Sequence, residues 1–370
     1  MHIIVGLNVG GAEMMLKRLV EFKPDRISES IVVSLTTLGE IGLALRARGV
    51  TVVALGLTSL WHAPVALCRL IRLIHQYEPK IVQTWMYHAD FLGGLAARLA
   101  GRYPVVWNVR SNLTPFNPFR ASFWLIRLCA LCSHVIPTRI ICCAHSARAT
   151  HIKLGYATHK ITVIPNGYDF FEFEIEQTTR VLARHALGIE DKDIVIGIVG
   201  RFDPLKDFHN FVKSAALLAV QCDNAKFLMV GRDNDWDNTV LRTWVEQAGL
   251  LNKFLLVGQQ INVPYFFSTM DIFCLSSLNE AIPSVVIEAM GFGLPCVVTD
   301  TGDAAEVLND ARFTVPTKNS AALADALLKM SRMDAVVRQQ IGEKNAQRVR
   351  SNFSIEKSSE CYALVYESAC

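Results

Sequence analysis

Ile272-Phe273-Cys274-Leu275-Ser276-Ser277-Leu278-Asn279-Glu280-Ala281-Ile282-Pro283-Ser284-Val285-Val286-Ile287-Glu288-Ala289-Met290, followed four residues later by Pro295-Cys296-Val297-Val298-Thr299, is the stretch on which the fold turns. Ile272 to Ser276 is a short apolar run of the kind that forms a buried strand, and Pro295 to Thr299 is another. Between them Glu280 falls in a loop, and Pro283 suits the first position of a helix. Glu288 then lies five residues inside that helix, about 7.5 Å further along its axis. Strand, helix and strand in succession are the repeating unit of a parallel sheet.

Outward from this unit the same alternation fills all 370 residues. Upstream, the runs are His2 to Gly6, Ser30 to Leu35, Val50 to Leu55, Lys80 to Thr84, Pro104 to Asn108, Arg139 to Ala144 and Ile161 to Pro165. Further along come Ile194 to Gly200, Lys226 to Gly231, Phe254 to Gly258, Ile272 to Ser276, Pro295 to Thr299 and Arg312 to Val315. The chain is too long for one core, and each set predicts one doubly wound sheet, so the fold class is α/β with two Rossmann-like domains facing across a cleft. Turn chemistry at Pro165-Asn166-Gly167 and the acidic stretch from Asp169 set the seam, giving domains over 1–168 and 169–352. The amphipathic segment Phe353 to Tyr366 reads as a last helix, within about 353–370, that packs back on the first domain. Ligands of open α/β sheets bind outside the carboxyl ends of the strands, so loops there are where function is sought.

Composition excludes several classes. Hydrophobic residues are 51% of the chain, yet no stretch of eighteen is apolar and free of charge; Arg127 interrupts the best one, Ala121 to Pro137. The run Met1 to Gly6 leads into glycines and Glu13 rather than a cleavage site, which predicts no signal peptide and a cytosolic location. Ten cysteines in such a chain read as reduced thiols, and Cys129 with Cys132 suits one helix face better than a metal site. The net charge of +3 hides an asymmetry: residues 1–168 carry 18 Lys+Arg against 7 Asp+Glu, the rest 19 against 27. No acidic residue occurs from Phe91 to Tyr168. That half is suited to anions.

The chemistry-bearing residues sit at strand ends. Gly10-Gly11-Ala12-Glu13 follows the first run and opens an amphipathic segment, a turn whose amides can cradle phosphate, although the full GxGxxG pattern is lacking. Gly200-Arg201 ends another run and Lys206 precedes the next helix, which starts near Phe208. A guanidinium with parallel donors and a mobile ammonium suit a diphosphate whose charge grows as a group departs. Glu280 and Glu288 could each accept two hydroxyl hydrogen bonds from an extended nucleotide sugar. Taken singly, such lysines and arginines are ordinary surface residues.

The combination resembles the family 4 retaining glycosyltransferases of the GT-B fold, whose mark is Glu-x7-Glu, matched by Glu280 and Glu288. Gly10 to Glu13 resembles that family's N-terminal glycine loop, and Val82 to Asp90 the segment with its active-site histidine, here His88. Val163 to Asp169 resembles its interdomain junction, Gly200-Arg201 with Lys206-Asp207 its diphosphate pair, and Pro295 to Asp303 the strand and loop after its glutamates. The resemblance implies that Arg201 and Lys206 neutralise the leaving diphosphate without a metal or cofactor, that Glu288 binds ribose and Glu280 the donor sugar, and that the backbone of Ile282, Pro283, Ser284 and Val285 touches sugar and phosphate. It implies further that Gly11 lets its loop approach the diphosphate and that His88 stands by the donor sugar. Where the family usually has Gly-Phe-Pro-Asn, this chain has Ala281-Ile282-Pro283-Ser284, a change that reshapes the sugar pocket.

The expected function is transfer of a sugar from a nucleotide sugar, a UDP-sugar for preference, to a lipid-linked or glycan acceptor in cell-surface polysaccharide synthesis, covering lipopolysaccharide, O-antigen or capsule. A nucleotide-sugar epimerase and a catalytically silent nucleotide-sugar-binding subunit are the alternatives. Phe116, Phe119, Phe123, Trp124, Leu125 and Leu128, interleaved with Arg120 and Arg127, form an apolar and basic face suited to the anionic inner membrane. The competing interpretation of that segment is a core helix whose arginines reach solvent. Nucleic acid is not an expected partner, for no interleaved aromatic motif accompanies the basic residues.

Overall fold

The computed structural model describes residues 1–22, 29–112, 121–173 and 177–370 and divides into two compact units. One comprises Met1–Tyr168 with Phe353–Cys370, the other Asp169–Asn352. In the first, strands β1 (His2–Ile4), β2 (Ile31–Ser34), β3 (Thr51–Ala54), β4 (Val82–Trp85), β5 (Val105–Val109), β6 (Arg139–Cys142) and β7 (Ile161–Val163) alternate with helices. These are α1 (Gly11–Glu21), α2 (Gly39–Ala47), α3 (Ala63–Tyr77), α4 (Tyr87–Gly101), α5 (Ala121–Cys132) and α6 (His145–Lys153). The second unit holds α7 (Gln177–Ala186), β8 (Ile194–Val199), α8 (Phe208–Ala219), β9 (Ala225–Val230), α9 (Thr239–Gln247), β10 (Phe254–Leu256), α10 (Val263–Thr269), β11 (Ile272–Leu275), α11 (Ser284–Gly291), β12 (Cys296–Thr299), α12 (Ala304–Leu308), β13 (Thr314–Val315), α13 (Ser320–Ser331) and α14 (Ala335–Phe353). A last helix, α15 (Ile355–Glu367), returns to the first unit.

Both sheets are parallel, in the orders β3-β2-β1-β4-β5-β6-β7 and β10-β9-β8-β11-β12-β13. Every run of Val and Ile singled out in the sequence became a strand, usually a residue or two shorter. The reason is physical: helices cover both faces of a parallel sheet, so its strands are apolar throughout rather than alternating. β4, β5, β11 and β12 are buried at every position. Pro283 departs from the expectation. It precedes the helix as its N-cap, with φ −77° and ψ 95°, and Ser284 is the first helical residue.

The return of α15 is fixed by both apolar and polar contacts. Ile355, Tyr362, Val365 and Ala369 join a core with Ile4, Leu16, Trp85, Val106 and Ile164. The Tyr362 hydroxyl, fully buried, accepts from Asn108 Nδ2 at 2.8 Å and from Arg110 Nη1 at 3.0 Å. Arg110 also donates to Asn108 Oδ1 at 2.9 Å and to Asn166 Oδ1 at 3.0 Å. Backbone bonds from Tyr168 to Phe353 and from Ile355 to Tyr168, each 2.9 Å, close the junction, and Gly167 lies so near Ile355 that a Cβ there would fall 2.8 Å from its Cα. Tyr362→Phe leaves the buried Asn108 amide without its acceptor. It is expected to destabilise the first unit by roughly 1–3 kcal/mol, read as a lower urea midpoint in tryptophan fluorescence.

Candidate functional site

Each sheet reverses its direction of growth once, between β1 and β4 in the first unit and between β8 and β11 in the second. At such a switch point the two following connections leave toward opposite faces, opening a crevice at the carboxyl ends of the strands. The residues selected from the sequence emerge at these two reversals. Gly11 follows β1 and His88 follows β4; Arg201 and Lys206 follow β8, and Glu280 with Glu288 follows β11.

In the second unit, Lys206 Nζ donates to Glu280 Oε1 at 2.6 Å, with side chains only 24% and 14% exposed. Ser277 Oγ donates to the same oxygen at 2.7 Å. Backbone contacts lock the two loops together: Leu278 N donates to Leu205 O at 2.7 Å, Ser276 Oγ to Lys206 O at 2.7 Å, and Thr299 Oγ1 to Ser277 O at 2.7 Å. Sequence spacing gave no sign of this pair, because its members are 74 residues apart. Arg201 is more open. Its side chain is 61% exposed and donates through Nε and Nη2 to Asp203 Oδ2, both at 3.0 Å. The other Asp203 oxygen caps the turn Pro204–Lys206 by accepting from Leu205 N at 2.9 Å. An Asp-Pro pair is a capping signal legible in the sequence alone.

Two glycines shape the surroundings. A Cβ on Gly231 would fall 2.0 Å from Gly200 O, the same oxygen that accepts from Asn234 Nδ2 at 2.6 Å. Gly302 has φ +56°, and a Cβ there would lie 2.1 Å from Glu280 O. Asp303 N donates to Ala281 O at 2.9 Å, so the loop after β12 fixes the turn that carries Glu280. Beyond it Ile282 and Pro283 are buried, Ser284 and Val285 half-buried. No side chain caps α11, so the amides of its first turn can meet an anion. Glu288 is its fifth residue and half-buried.

In the first unit Gly10 is the extended N-cap of α1, and Glu13 folds back so closely that a Cβ on Gly10 would sit 2.3 Å from Glu13 Oε2. Burial raises the Glu13 carboxyl above its usual range. A Cβ on Gly11 would meet nothing within 4 Å, so packing within the chain does not require glycine there. His88 is the second residue of α4 and exposed, while partial burial of its ring lowers its pKa. Two residues before it, Met86 holds φ +69° and ψ 160°, a region almost confined to glycine that costs of order 1–3 kcal/mol. Two residues after His88, Asp90 is fully buried and accepts from Thr84 Oγ1 at 2.6 Å. Burial pushes its pKa up to about 7 against the pull of Thr84 and the Asn108 backbone. Neither Met86 nor Asp90 had been selected.

Elsewhere, Cys129 is buried on α5 with Cys132 partly so, and both thiols are free; burial pushes them up, away from the thiolate a metal needs. The outer face of α5 and the turn after it expose Trp124, Arg127, Leu128, Leu131 and Val135. Phe116, Phe119 and Arg120 lie outside the described residues. No helix among the described residues is long and apolar enough to cross a membrane.

Comparison with known proteins places families on both units. The family model described as Glycosyltransferase Family 4 matches residues 9–170, and that described as Glycosyl transferases group 1 matches residues 180–348. The chain is 30% identical over 242 residues to the UDP-Gal:alpha-D-GlcNAc-diphosphoundecaprenol alpha-1,3-galactosyltransferase of Escherichia coli; the match covers 64% of this chain and 61% of that protein, or about three fifths of its length. It is 26% identical to the capsular polysaccharide biosynthesis glycosyltransferase CapM of Staphylococcus aureus, over 78% of this chain and 77% of the relative. The fold is shared with Anabaena HepE, solved in complex with UDP, at a TM-score of 0.85 and 21% identity over the whole of both chains.

Gly302→Ala forces a side chain into a positive-φ position against the Glu280 carbonyl. The variant is expected to lose roughly 1–3 kcal/mol, measured by urea unfolding, and an unchanged midpoint would mean that the Glu280 turn is not held by this contact.

Proposed function

Since the chain belongs to the glycosyltransferases that join a Glycosyltransferase Family 4 domain to a Glycosyl transferases group 1 domain, we propose that it transfers a sugar, with retention at the anomeric carbon, from a UDP-sugar to a lipid-linked or glycan acceptor in assembly of a bacterial surface polysaccharide. One observation carries the proposal: the Lys206–Glu280 pair at the strand reversal of the second sheet, beside the uncapped start of α11, whose fifth residue, about one helical turn in, is Glu288. The names of the relatives, an undecaprenol-linked galactosyltransferase and a capsular glycosyltransferase, support the substrate class. HepE complexes with UDP and with UDP-glucose support uridine in the donor.

In the proposed mechanism the diphosphate lies against Lys206, Arg201 and the first amides of α11, while Glu280 accepts from sugar hydroxyls and Glu288 from the ribose. Bringing in the diphosphate gives the Lys206 ammonium a second anionic partner, so its donors are preorganised by Glu280 before the donor arrives. The bond from the anomeric carbon to the diphosphate oxygen breaks through an oxocarbenium-like state. The acceptor oxygen bonds to the same face of that carbon, and its proton passes to the departing phosphate oxygen. His88 and Gly11 are the contributions of the first unit to donor binding, and the charge is met by side chains without a metal.

The outer face of α5, apolar with Arg127, is proposed to rest on anionic lipid, which brings a lipid-linked acceptor within reach. Trp124→Ala together with Leu131→Ser is expected to cut sedimentation with phosphatidylglycerol vesicles severalfold at about 0.1 M salt while leaving UDP binding intact; equal sedimentation would remove α5 from the contact. For the reaction itself, purified protein is incubated with membrane extract and labelled UDP-glucose, UDP-galactose or UDP-GlcNAc. Transfer is expected to survive EDTA and to fall about a hundredfold or more in Lys206→Ala. A fully active Lys206→Ala would remove the donor-site assignment. A new sugar isomer without acceptor would mark an epimerase, and UDP binding without transfer or donor hydrolysis a silent subunit.

A further inference from the structure

We propose that Asp90 is a positioning residue, a buried carboxyl that holds the strained Met86 turn in place and thereby sets the position of His88 at the start of α4. The inference rests on the role given to His88 above.

Met86 sits where the backbone leaves β4 and enters α4, in a conformation that a side-chain-bearing residue adopts only when its surroundings impose it. Four contacts impose it. Met86 N donates to Asn108 O at 3.1 Å, tying the turn to β5, and Asp90 N donates to Met86 O at 2.9 Å, closing the first turn of α4. Arg110 N contacts Met86 Sδ at 3.4 Å. The fourth runs through the Asp90 side chain, whose Oδ1 accepts from Thr84 Oγ1 on β4 at 2.6 Å and whose carboxyl also meets the Asn108 backbone on β5. The helix end that carries His88 is therefore strapped to the strand before it by one carboxyl oxygen.

A carboxyl is an expensive strap at this depth. Asp90 is 0% exposed, and its Oδ2 has no hydrogen-bond partner among the described residues. Among the described residues the titratable groups around it offer no compensating cation: Tyr87 on its own helix, Cys129 on α5, Cys142 on β6, and Tyr156 after α6. Burial pushes all four upward, Cys142 to about 12, so they stay neutral. His151, adjoining Tyr87 and Tyr156, also stays neutral, since burial lowers it; Nδ1 donates to Ala147 O at 2.7 Å and Nε2 accepts from Tyr87 Oη at 3.0 Å. A purely structural link between β4 and α4 would be made more cheaply by a neutral side chain. Retaining a carboxyl two residues from His88 fits a requirement for a short, rigid acceptor whose geometry sets the turn.

The sign of the pH effect follows from the raised pKa. The protonated form is favoured in the folded chain, so its stabilising contribution is complete below the usual aspartate range and is lost as pH rises toward about 7. Asp90→Asn should remove that loss, and its thermal midpoint should fall less than the wild type's between pH 5 and pH 8.

The test compares full-length His88→Ala, Asp90→Ala, Asp90→Asn and Thr84→Val, using UDP as binding probe and transfer from whichever of UDP-glucose, UDP-galactose and UDP-GlcNAc the wild type uses. A 1 Å error in placing a reacting group costs about a hundredfold. Asp90→Ala is therefore expected to lower kcat on that order, with UDP affinity and donor KM within about twofold, while Asp90→Asn, which keeps the acceptor oxygen, recovers most of the rate. If Asp90→Ala fails to fold, Thr84→Val removes the strap without removing the carboxyl and should lower kcat in the same pattern. Wild-type kcat in folded Asp90→Ala or in Thr84→Val, with His88→Ala impaired, overturns this proposal alone. A fully active His88→Ala overturns both it and the role of His88 on which it rests.

Discussion

Parallel strands can be joined only by crossovers that pass over one face of the sheet, and the hand of each crossover is fixed by the twist of the backbone. A sheet that grows first one way and then the other must therefore part its connections where the direction changes. In this chain that happens between β1 and β4 and again between β8 and β11. Gly11, His88, Arg201, Lys206 and Glu280 all stand on the connections leaving those four strands, the first two at the starts of helices. In each unit the place of these candidate residues is a consequence of strand order before it is a matter of side-chain chemistry. What the side chains add is charge: a lysine and a glutamate that would each be costly alone are made tolerable by pairing at 2.6 Å.

Much of this was written plainly in the sequence. Runs such as Ile194 to Gly200 and Pro295 to Thr299 announce buried strands because both faces of a parallel sheet demand apolar side chains, leaving little room for a helical pattern to mimic them. The candidate site residues were legible for a related reason: they sit at the ends of those runs, and the eight-residue step from Glu280 to Glu288 is a local pattern of loop and helix. Boundaries were less exact, as Pro283 illustrates. Its ring suits both the residue before a helix and the first residue within it, and only the backbone angles distinguish them.

The unread part consists of contacts between residues far apart in sequence. Lys206 with Glu280, Arg110 with Asn166 and Tyr362, and Asp90 beneath β4 acquire meaning only when the sheet brings them together. Met86 is a different kind of omission. Methionine gives no hint of a glycine-like backbone, because the conformation is imposed by hydrogen bonds from β5 and α4 rather than invited by the residue itself. Arg201 shows the opposite limit: its position was foreseen, yet its hold on Asp203, two residues away, was as visible in the sequence as the arginine.

The excursion of the backbone also has a temporal side. The second unit is one continuous segment, Asp169–Asn352, whereas the first is completed only by Phe353–Cys370. Synthesis proceeds from the amino end, so on the ribosome the segment made later has all its parts first, while the earlier one waits with the core positions of Trp85 and Val106 uncovered until α15 emerges. The two units thus reach completion in the reverse of their order in the chain. A nascent chain stalled between Asn352 and Tyr362 would carry a finished second unit tethered to an open, apolar and strongly basic first one, the species that a chaperone would be called on to shield.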